Sequence, residues 1–409
     1  MRPIDVLRAS GRTVAGTGVL RWRHALMVTE IALSMILLIG AGLTVKSLIA
    51  MDRVPLGFTT SGVLAANVVL PENRYPTGDA RHAFFVELAE RVRAVPGVAS
   101  VAFANRLPLR GGWGGGFGIV GLTQPNAPLE ADFQAVSASY FDVLGITLKR
   151  GRLLGDADAK TSEPVAVVSE DFARAFLEGQ EPVGRQIARG PQAPRITIVG
   201  VVSDVRRGGK LTALTPQVYL AAAQTQLYPV RLSDLAVKTS GDPVSIRATL
   251  EKVVADLDPD QPISTMRSLD DILVQRGEER RFQAMLFSLF AMLAVVLALI
   301  GVHGVVSYSV SQRTPEIGVR TALGASRWQI FGWLLGGTAT HVAIGALIGT
   351  AAAAGLSRFM TSVLFHVEPT DVPTYATSAI ALCAVALSAA ALAARKATSI
   401  DPVQALRGE

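Results

Sequence analysis

Cysteine is nearly absent from this chain: Cys383 is the only one among 409 residues. Any exported domain must therefore be held by its own core and not by disulfides, and a lone cysteine inside an apolar run is a small packing residue. Charge is scarce too. Asp, Glu, Lys and Arg make up 18% of the residues against 50% hydrophobic, with a mean hydropathy of +0.37. That balance is too apolar for an average soluble domain and too charged for a purely membrane-embedded one.

The residue sets of catalysis are also missing. A phosphate loop needs glycines leading into Gly-Lys-Ser/Thr at a helix start, so that backbone N–H groups and the lysine hold phosphates. Gly208-Gly209-Lys210-Leu211 comes nearest and lacks both the hydroxyl ligand and the upstream glycine. The glycine-rich run at 111–116 has no lysine after it. His24, His82, His303, His341 and His366 show no metal-ligand spacing, and no Ser/His/Asp or Cys/His set stands out. The expectation is a chain that is not an enzyme, with no catalytic, cofactor-binding or metal residues of its own.

What the chain does have is four long apolar stretches: Ala25–Val45, Met285–Val306, Ile330–Leu356 and Tyr375–Ala394. A helix needs roughly 20 mainly apolar residues to cross about 30 Å of hydrocarbon. The basic excess lies around these stretches. Residues 50–280 hold 25 Lys/Arg and 26 Asp/Glu, while the remainder holds 14 and 7. A nucleic-acid partner would call for a basic patch on a folded module, so none is expected, and membrane orientation accounts for the charge better. Arg2, Arg8, Arg12, Arg21 and Arg23 precede the first stretch against Asp5 alone. Arg313, Arg320 and Arg327 oppose Glu316 between the second and third; Arg395, Lys396 and Arg407 follow the fourth. Between the third and fourth, Arg358 is opposed by Glu368 and Asp371. The positive-inside rule then places both termini in the cytoplasm and the central domain outside. A cleaved signal peptide fits the first stretch poorly, because its apolar run is too long and no Ala-x-Ala site ends it.

The fold expected is thus four transmembrane α-helices with a large α+β domain between the first and second. A basic leader occupies 1–24, the first membrane helix 25–48, the exported domain 49–280, the remaining membrane region 281–402 and a tail 403–409. Membrane helices are expected near 285–308, 328–356 and 374–394. Within the exported domain the spacing predicts strands at 63–70, 98–104, 196–202, 218–222 and 235–239, with helices at 79–95 and 243–257. Residues 164–177 begin as a strand and turn helical after Ser169, a suitable N-cap. The strand–helix–strand order occurs twice, so two related subdomains are expected. A second subdomain would take in residues 105–160, with Gly111-Gly112-Trp113-Gly114-Gly115-Gly116 as a mobile loop.

Ser311–Ser326 is the most informative short segment. Thr314 can cap a helix, Pro315 suits its first turn and Gly324 can end it. Glu316 and Arg320 stand at i, i+4 and face one another; Ile317, Leu323 and Val319 offer apolar contacts. The pattern is a short amphipathic helix at the cytoplasmic membrane surface. It serves either as something a partner grips or as an ordinary interfacial helix. Elsewhere Glu30, one turn into the first membrane helix, is expected to snorkel to the interface, and His303 to hydrogen-bond locally beside Gly301 and Gly304. Asp401-Pro402 reads as a local cap. Gly332-x-x-x-Gly336 and Gly345-x-x-x-Gly349 suit close helix packing, and no helix carries a charge at mid-depth that would mark a polar pathway.

Arg313–Ala325 resembles the R-x-x-E-I-G-[IV]-R-x-A-L-G-A segment of FtsX-like, MacB-type ABC transporter permeases, and Ala394–Arg407 resembles that family's A-R-[RK]-A-x-x-[IV]-D-P-x-x-A-L-R ending. Val95–Val98, Ser139–Gly145, Arg150–Arg152, Pro164–Glu170 and Ile198–Val205 are similar to segments of the family's exported part. The resemblance covers the chain from about residue 20 and is greatest to the second half of the duplicated orphan permeases, the leader resembling the linker between halves. A natural half-length protein, a truncated product and a misplaced start all stay open. The resemblance implies an inner-membrane permease subunit whose partners are a cytoplasmic ABC ATPase, a second permease copy or half, a periplasmic adaptor and membrane lipid. ATP would be bound by the ATPase, docked on Arg313, Glu316, Ile317, Arg320 and Leu323, and its motion would pass mechanically to the exported domain. The competing readings are a membrane-anchored sensor or binding protein without an ATPase, and a non-functional half-length permease.

Overall fold

Side-chain alternation accounts for the centre of the structure, a computed structural model. It describes residues 3–122, 128–190, 192–227, 230–313, 316–317, 319–320, 323, 325–360, 364 and 367–398. Two units divide the chain: Val54–Glu278, and Met1–Arg53 with Glu279–Glu409.

Val54–Glu278 is α+β. Its strands are β1 (Val63–Asn67), β2 (Val98–Ala104), β3 (Gly114–Ile119), β4 (Leu129–Val136), β5 (Leu148–Gly151), β6 (Val165–Ser169), β7 (Gln186–Ala188), β8 (Ile196–Val202), β9 (Gln217–Ala221), β10 (Asp234–Thr239) and β11 (Thr265–Ser268). The helices are α1 (Pro3–Asp52, in the other unit), α2 (Gly78–Arg93), α3 (Tyr140–Val143), α4 (Glu170–Phe176) and α5 (Arg247–Leu257); α6 (Leu269–Gln312) begins in this unit and continues into the other. Successive residues point to opposite faces of a strand. Leu64, Ala66, Val101, Phe103, Leu235 and Val237 enter one core, capped by Phe84, Phe85, Leu88 and Val92 of α2 and by Leu250 and Val254 of α5. Val63, Ala65, Ala102, Ala104 and Ala236 face a second core with α3 and with Leu269 and Ile272 of α6. Alanine dominates that second face of β1, β2 and β10, where α3 packs directly on the sheet.

The two related subdomains expected from sequence are not what forms. All eleven strands belong to one sheet. One half is an open antiparallel run, β11-β1-β10-β2. The other closes on itself through β4-β3-β7-β8-β6-β9, because β9 pairs with both β6 and β4. The halves are joined by one residue pair, Ala104 with Val136. The glycine run also departs from expectation: Gly114, Gly115 and Gly116 are paired in β3 opposite Asp132, Ala131 and Glu130. Without a side chain, Gly115 leaves room for the Arg189 guanidinium, which lies 4.1 Å over Trp113 and 4.6 Å over Phe133. Ser169 does cap α4, its Oγ accepting from the Phe172 N–H at 3.2 Å.

The other unit is helical. Besides α1 and most of α6 it holds α7 (Arg327–Leu356) and α8 (Val372–Thr398). Among the described residues, four segments are long and apolar enough to cross a membrane: Trp22–Asp52, Leu269–Gln312, Trp328–Met360 and Val372–Arg395. Met27, Ile31, Met35, Ile39 and Leu43 form an i, i+4 stripe on α1, buried with Val342 and Ala346 of α7 and Leu382, Ala386 and Ala390 of α8. Gly345 and Gly349 permit this approach. A Cβ on Gly349 would lie 2.6 Å from the Ala32 carbonyl oxygen, and one on Gly345 2.9 Å from that of Val28. Gly332 and Gly336 would have no described atom within 4 Å of an added Cβ, so among the described residues it is the second glycine pair that packs against a neighbouring helix. Glu30 does not simply reach for the interface: its carboxylate occupies the space over Gly301 of α6. Lys46 and Asp371 join α1 to the start of α8 at 2.6 Å, where Asp371 also accepts from the Thr374 N–H.

Candidate functional site

The segment between α6 and α7 is described at Arg313, Glu316, Ile317, Val319, Arg320, Leu323 and Ala325; Thr314, Pro315 and Gly324, read as helix signals, lie outside the described residues, as does Asp401-Pro402. Helical hydrogen bonding continues past the end of α6. The Arg313 N–H donates to the Ser309 and Val310 carbonyls, that of Ile317 to Arg313 at 2.9 Å and that of Leu323 to Val319 at 3.0 Å. Glu316 and Arg320 form the i, i+4 ion pair at 2.8 Å, with both side chains about half exposed. Such a pair is worth only about 0.2–0.5 kcal/mol, too little to fix the segment.

Trp333 of α7 does more. The Arg320 guanidinium lies 4.4 Å from its ring centroid and that of Arg313 4.8 Å, so one indole receives two cations from the segment at about 0.5–1 kcal/mol each. Arg23 of α1 lies 3.8 Å over the Tyr308 ring of α6. Ser326 starts α7 with a reciprocal capping box: its Oγ accepts from the Gln329 N–H, and the Gln329 side chain accepts from the Ser326 N–H. Ile317, Ala325 and Trp333 pack against the buried helix core.

Leu323 and Val319 do not join it. Leu323 is 82% exposed and Val319 51%. The structure therefore sorts the five sequence-predicted residues. Ile317 is an inward anchor, Arg313 and Arg320 rest on Trp333, and Glu316 and Leu323 are presented outward beside Val319. Chemically this is a surface with paired charge and free apolar area, suited to gripping and not to bond making. Among the described residues no group of three or more His, Cys, Asp or Glu side chains could hold a metal. His24 and His341 stand with ring centroids 4.3 Å apart, a pair without a third ligand among the described residues.

Sequence reasoning missed Trp333, Tyr308 and Arg23. The signal was available only in part: an aromatic residue one turn inside an apolar helix reads as a lipid-facing or core residue until its cations are in place. The Ser326-x-x-Gln329 box was missed as well, although its Ser-x-x-Gln spacing is a local signal.

The family model for the MacB-like periplasmic core domain matches residues 25–256, and that for the FtsX-like permease C-terminal region matches 288–402. The chain belongs to the FtsX-like, MacB-type ABC transporter permease family. The order of the two matches agrees with the fold, an α+β domain between the first and second of four apolar helices. Among its relatives is the macrolide export ATP-binding/permease protein MacB of Neisseria gonorrhoeae, 27% identical over 301 residues, covering 70% of this chain and 45% of that protein. The MacB of Aggregatibacter actinomycetemcomitans is 31% identical over 207 residues, covering 49% of this chain and 31% of that one. The probable syringafactin exporter SyfD of Pseudomonas syringae pv. tomato is 27% identical, covering 69% of this chain and 42% of that one. The chain thus spans less than half the length of these curated relatives. The periplasmic region of MacB from Actinobacillus actinomycetemcomitans aligns with 53% of this chain and 92% of that one, at 18% identity and a TM-score of 0.38.

Proposed function

We propose that this permease passes the ATP-driven motion of a separate cytoplasmic ABC ATPase to its α+β domain outside the membrane, in the service of export. The observation that carries this reading is the outward set on the α6–α7 connection. Leu323 and Val319 are left bare while Ile317, Arg313 and Arg320 are tied down. A helical segment anchored at one face and open at the other can carry force from a docked partner. Both termini and this connection are assigned to the cytoplasm by the excess of Arg and Lys around them. The relatives' names join ATP binding to permease function; here ATP would be held by the partner, since no phosphate loop occurs in the sequence. A working assembly would pair two permease copies or halves, and a periplasmic adaptor could complete it. Names of relatives point to macrolides and syringafactin as cargo to try first.

The test is the charge swap Glu316→Arg with Arg320→Glu. The local pair survives, but Arg320 leaves the Trp333 ring, so the segment loses about 0.5–1 kcal/mol of cation–π attraction. Arg313 stays on the indole, and a docked partner meets reversed charge. Arg320→Gln, which loses the same ring contact without reversing charge, is the control for that loss. The expected result is normal membrane insertion with a lost pull-down of the ATPase and lost stimulation of its turnover. Unchanged coupling would reduce the segment to an interfacial helix.

A further inference from the structure

The seam of the sheet holds a feature that ATPase coupling does not use. Because β2 and β4 share only the Ala104–Val136 pair, the open half and the closed half part there. α2 and the stretch 154–159 border the gap, leaving a cleft of about 660 Å³. That size falls within the roughly 300–1,000 Å³ of small-molecule sites.

Apolar surface comes from Val86 and Ala89 of α2, Phe103 of β2 and Leu154. The Ser137 and Ser139 hydroxyls are already engaged: Ser137 Oγ accepts from the Phe103 N–H at 3.1 Å, and Ser139 Oγ donates to the Val101 carbonyl at 2.6 Å. They shape the wall and offer little to a ligand. The charges differ in commitment. Asp158 is clamped by both Arg152 nitrogens at 2.8 and 2.7 Å and by the Gly155 N–H. Glu90, Asp156 and Arg93 line the cleft with exposed side chains that make no ion pair or hydrogen bond among the described residues. His82 sits edge-on to Phe103 at 5.8 Å, and burial pushes its imidazole below the ordinary value. With Asp158 neutralised by Arg152, the uncommitted carboxylates Glu90 and Asp156 stand against the one guanidinium of Arg93 and leave the lining with a negative balance.

We propose that this cleft binds an amphipathic organic cation, its apolar body against Val86 and Phe103 and its positive group at Glu90 and Asp156. The site would let the α+β domain select cargo directly, and it stands independently of the docking segment. Charge complementarity in a half-enclosed cleft favours the cation and rejects an anion of the same shape.

The probe is rhodamine 6G, a cationic xanthene dye, titrated by fluorescence anisotropy against the full chain in phosphatidylcholine nanodiscs. Empty discs supply the lipid background, and fluorescein, an anionic xanthene, is the counter-probe. Saturable binding of rhodamine 6G at one dye per chain is expected, with none for fluorescein. Glu90→Gln with Asp156→Asn keeps shape and should weaken binding about fivefold, as two partly solvated charge contacts would. Val86→Trp should abolish binding by filling the cleft. The amide pair lies at exposed positions and leaves the fold intact, so the result does not hang on the tryptophan variant. No saturable binding, equal binding of fluorescein, or unchanged affinity in both variants would overturn the proposal.

Discussion

The two glycine pairs of α7 allow a prediction in which the structure fixes opposite signs for one chemical change. At Gly349 a new Cβ meets the Ala32 carbonyl oxygen and the Met35 Cβ at 2.6 Å, and at Gly345 the Val28 carbonyl oxygen and Ile31 Cβ at 2.9 Å. Backbone cannot step aside as a flexible side-chain end can, so α1 and α7 must separate. Overpacking of this kind costs about 1–3 kcal/mol per site, against about 0.5–1 kcal/mol regained per glycine replaced in a helix. Gly345→Ala with Gly349→Ala should therefore lose up to about 5 kcal/mol, about 2–3 kcal/mol in the middle of these ranges. Gly332→Ala with Gly336→Ala meets nothing within 4 Å and should gain about 1–2 kcal/mol from propensity alone. Cys383, the only cysteine and partly packed against this helix core, supplies the assay: labelling by a thiol-reactive dye during heating in mild detergent reports opening of the bundle. The midpoint should fall for the first variant and rise or hold for the second. Equal falls for both would refute the assignment of the packing seam.

Four further outcomes follow from the same contacts. Asp158, bonded by Arg152, is held below the ordinary carboxylate range; its stabilising effect is complete above the unfolded value of about 3.9 and lost as pH falls through the lower folded value. Arg152→Ala should cost about 1–2 kcal/mol at pH 7, the arginine being half solvated, and its deficit in denaturant titrations should shrink below about pH 4. Trp333→Leu should release Arg313 and Arg320, removing about 1–2 kcal/mol of cation–π attraction, and lower ATPase stimulation while expression stays normal. A reporter active only outside the cytoplasm should work fused after Gly78 or Gly241 and fail after Gln312 or Glu409; activity at Gln312 would contradict the orientation. The purified chain alone should show no saturable ATP hydrolysis.

Much of the fold was legible because its signals are local. Four apolar runs gave the four helices, Ser169 gave the cap of α4, and Phe84, Phe85, Leu88 and Val92 gave the buried face of α2. The missed strands lack a local signal: β3 is written in glycine, β5, β7 and β11 are short, and β4 owes its place to pairing with β9 far along the chain. Closure of one half of the sheet depends on such distant pairings, which no local periodicity encodes. Of the candidate docking segment, the Glu316–Arg320 pair and the inward Ile317 could be read from spacing. Trp333 as a platform for two arginines could not, since it needs the α6–α7 connection folded back on α7. The two glycine pairs look alike in sequence and differ only in what faces them.

In the proposed mechanism the α6–α7 connection presents Leu323 to a cytoplasmic ATPase. Its most direct test places one reactive thiol there: Leu323→Cys in a Cys383→Ala background, photo-crosslinked through a benzophenone maleimide in native membranes. A matched probe at Phe359, which is 84% exposed just beyond the far end of α7, serves as the comparison. A covalent adduct with a phosphate-loop ATPase is expected at position 323, with a yield that changes when a non-hydrolysable ATP analogue is added, and no such adduct at 359. Lipid adducts alone at position 323, or the same ATPase captured equally from 359, would contradict it.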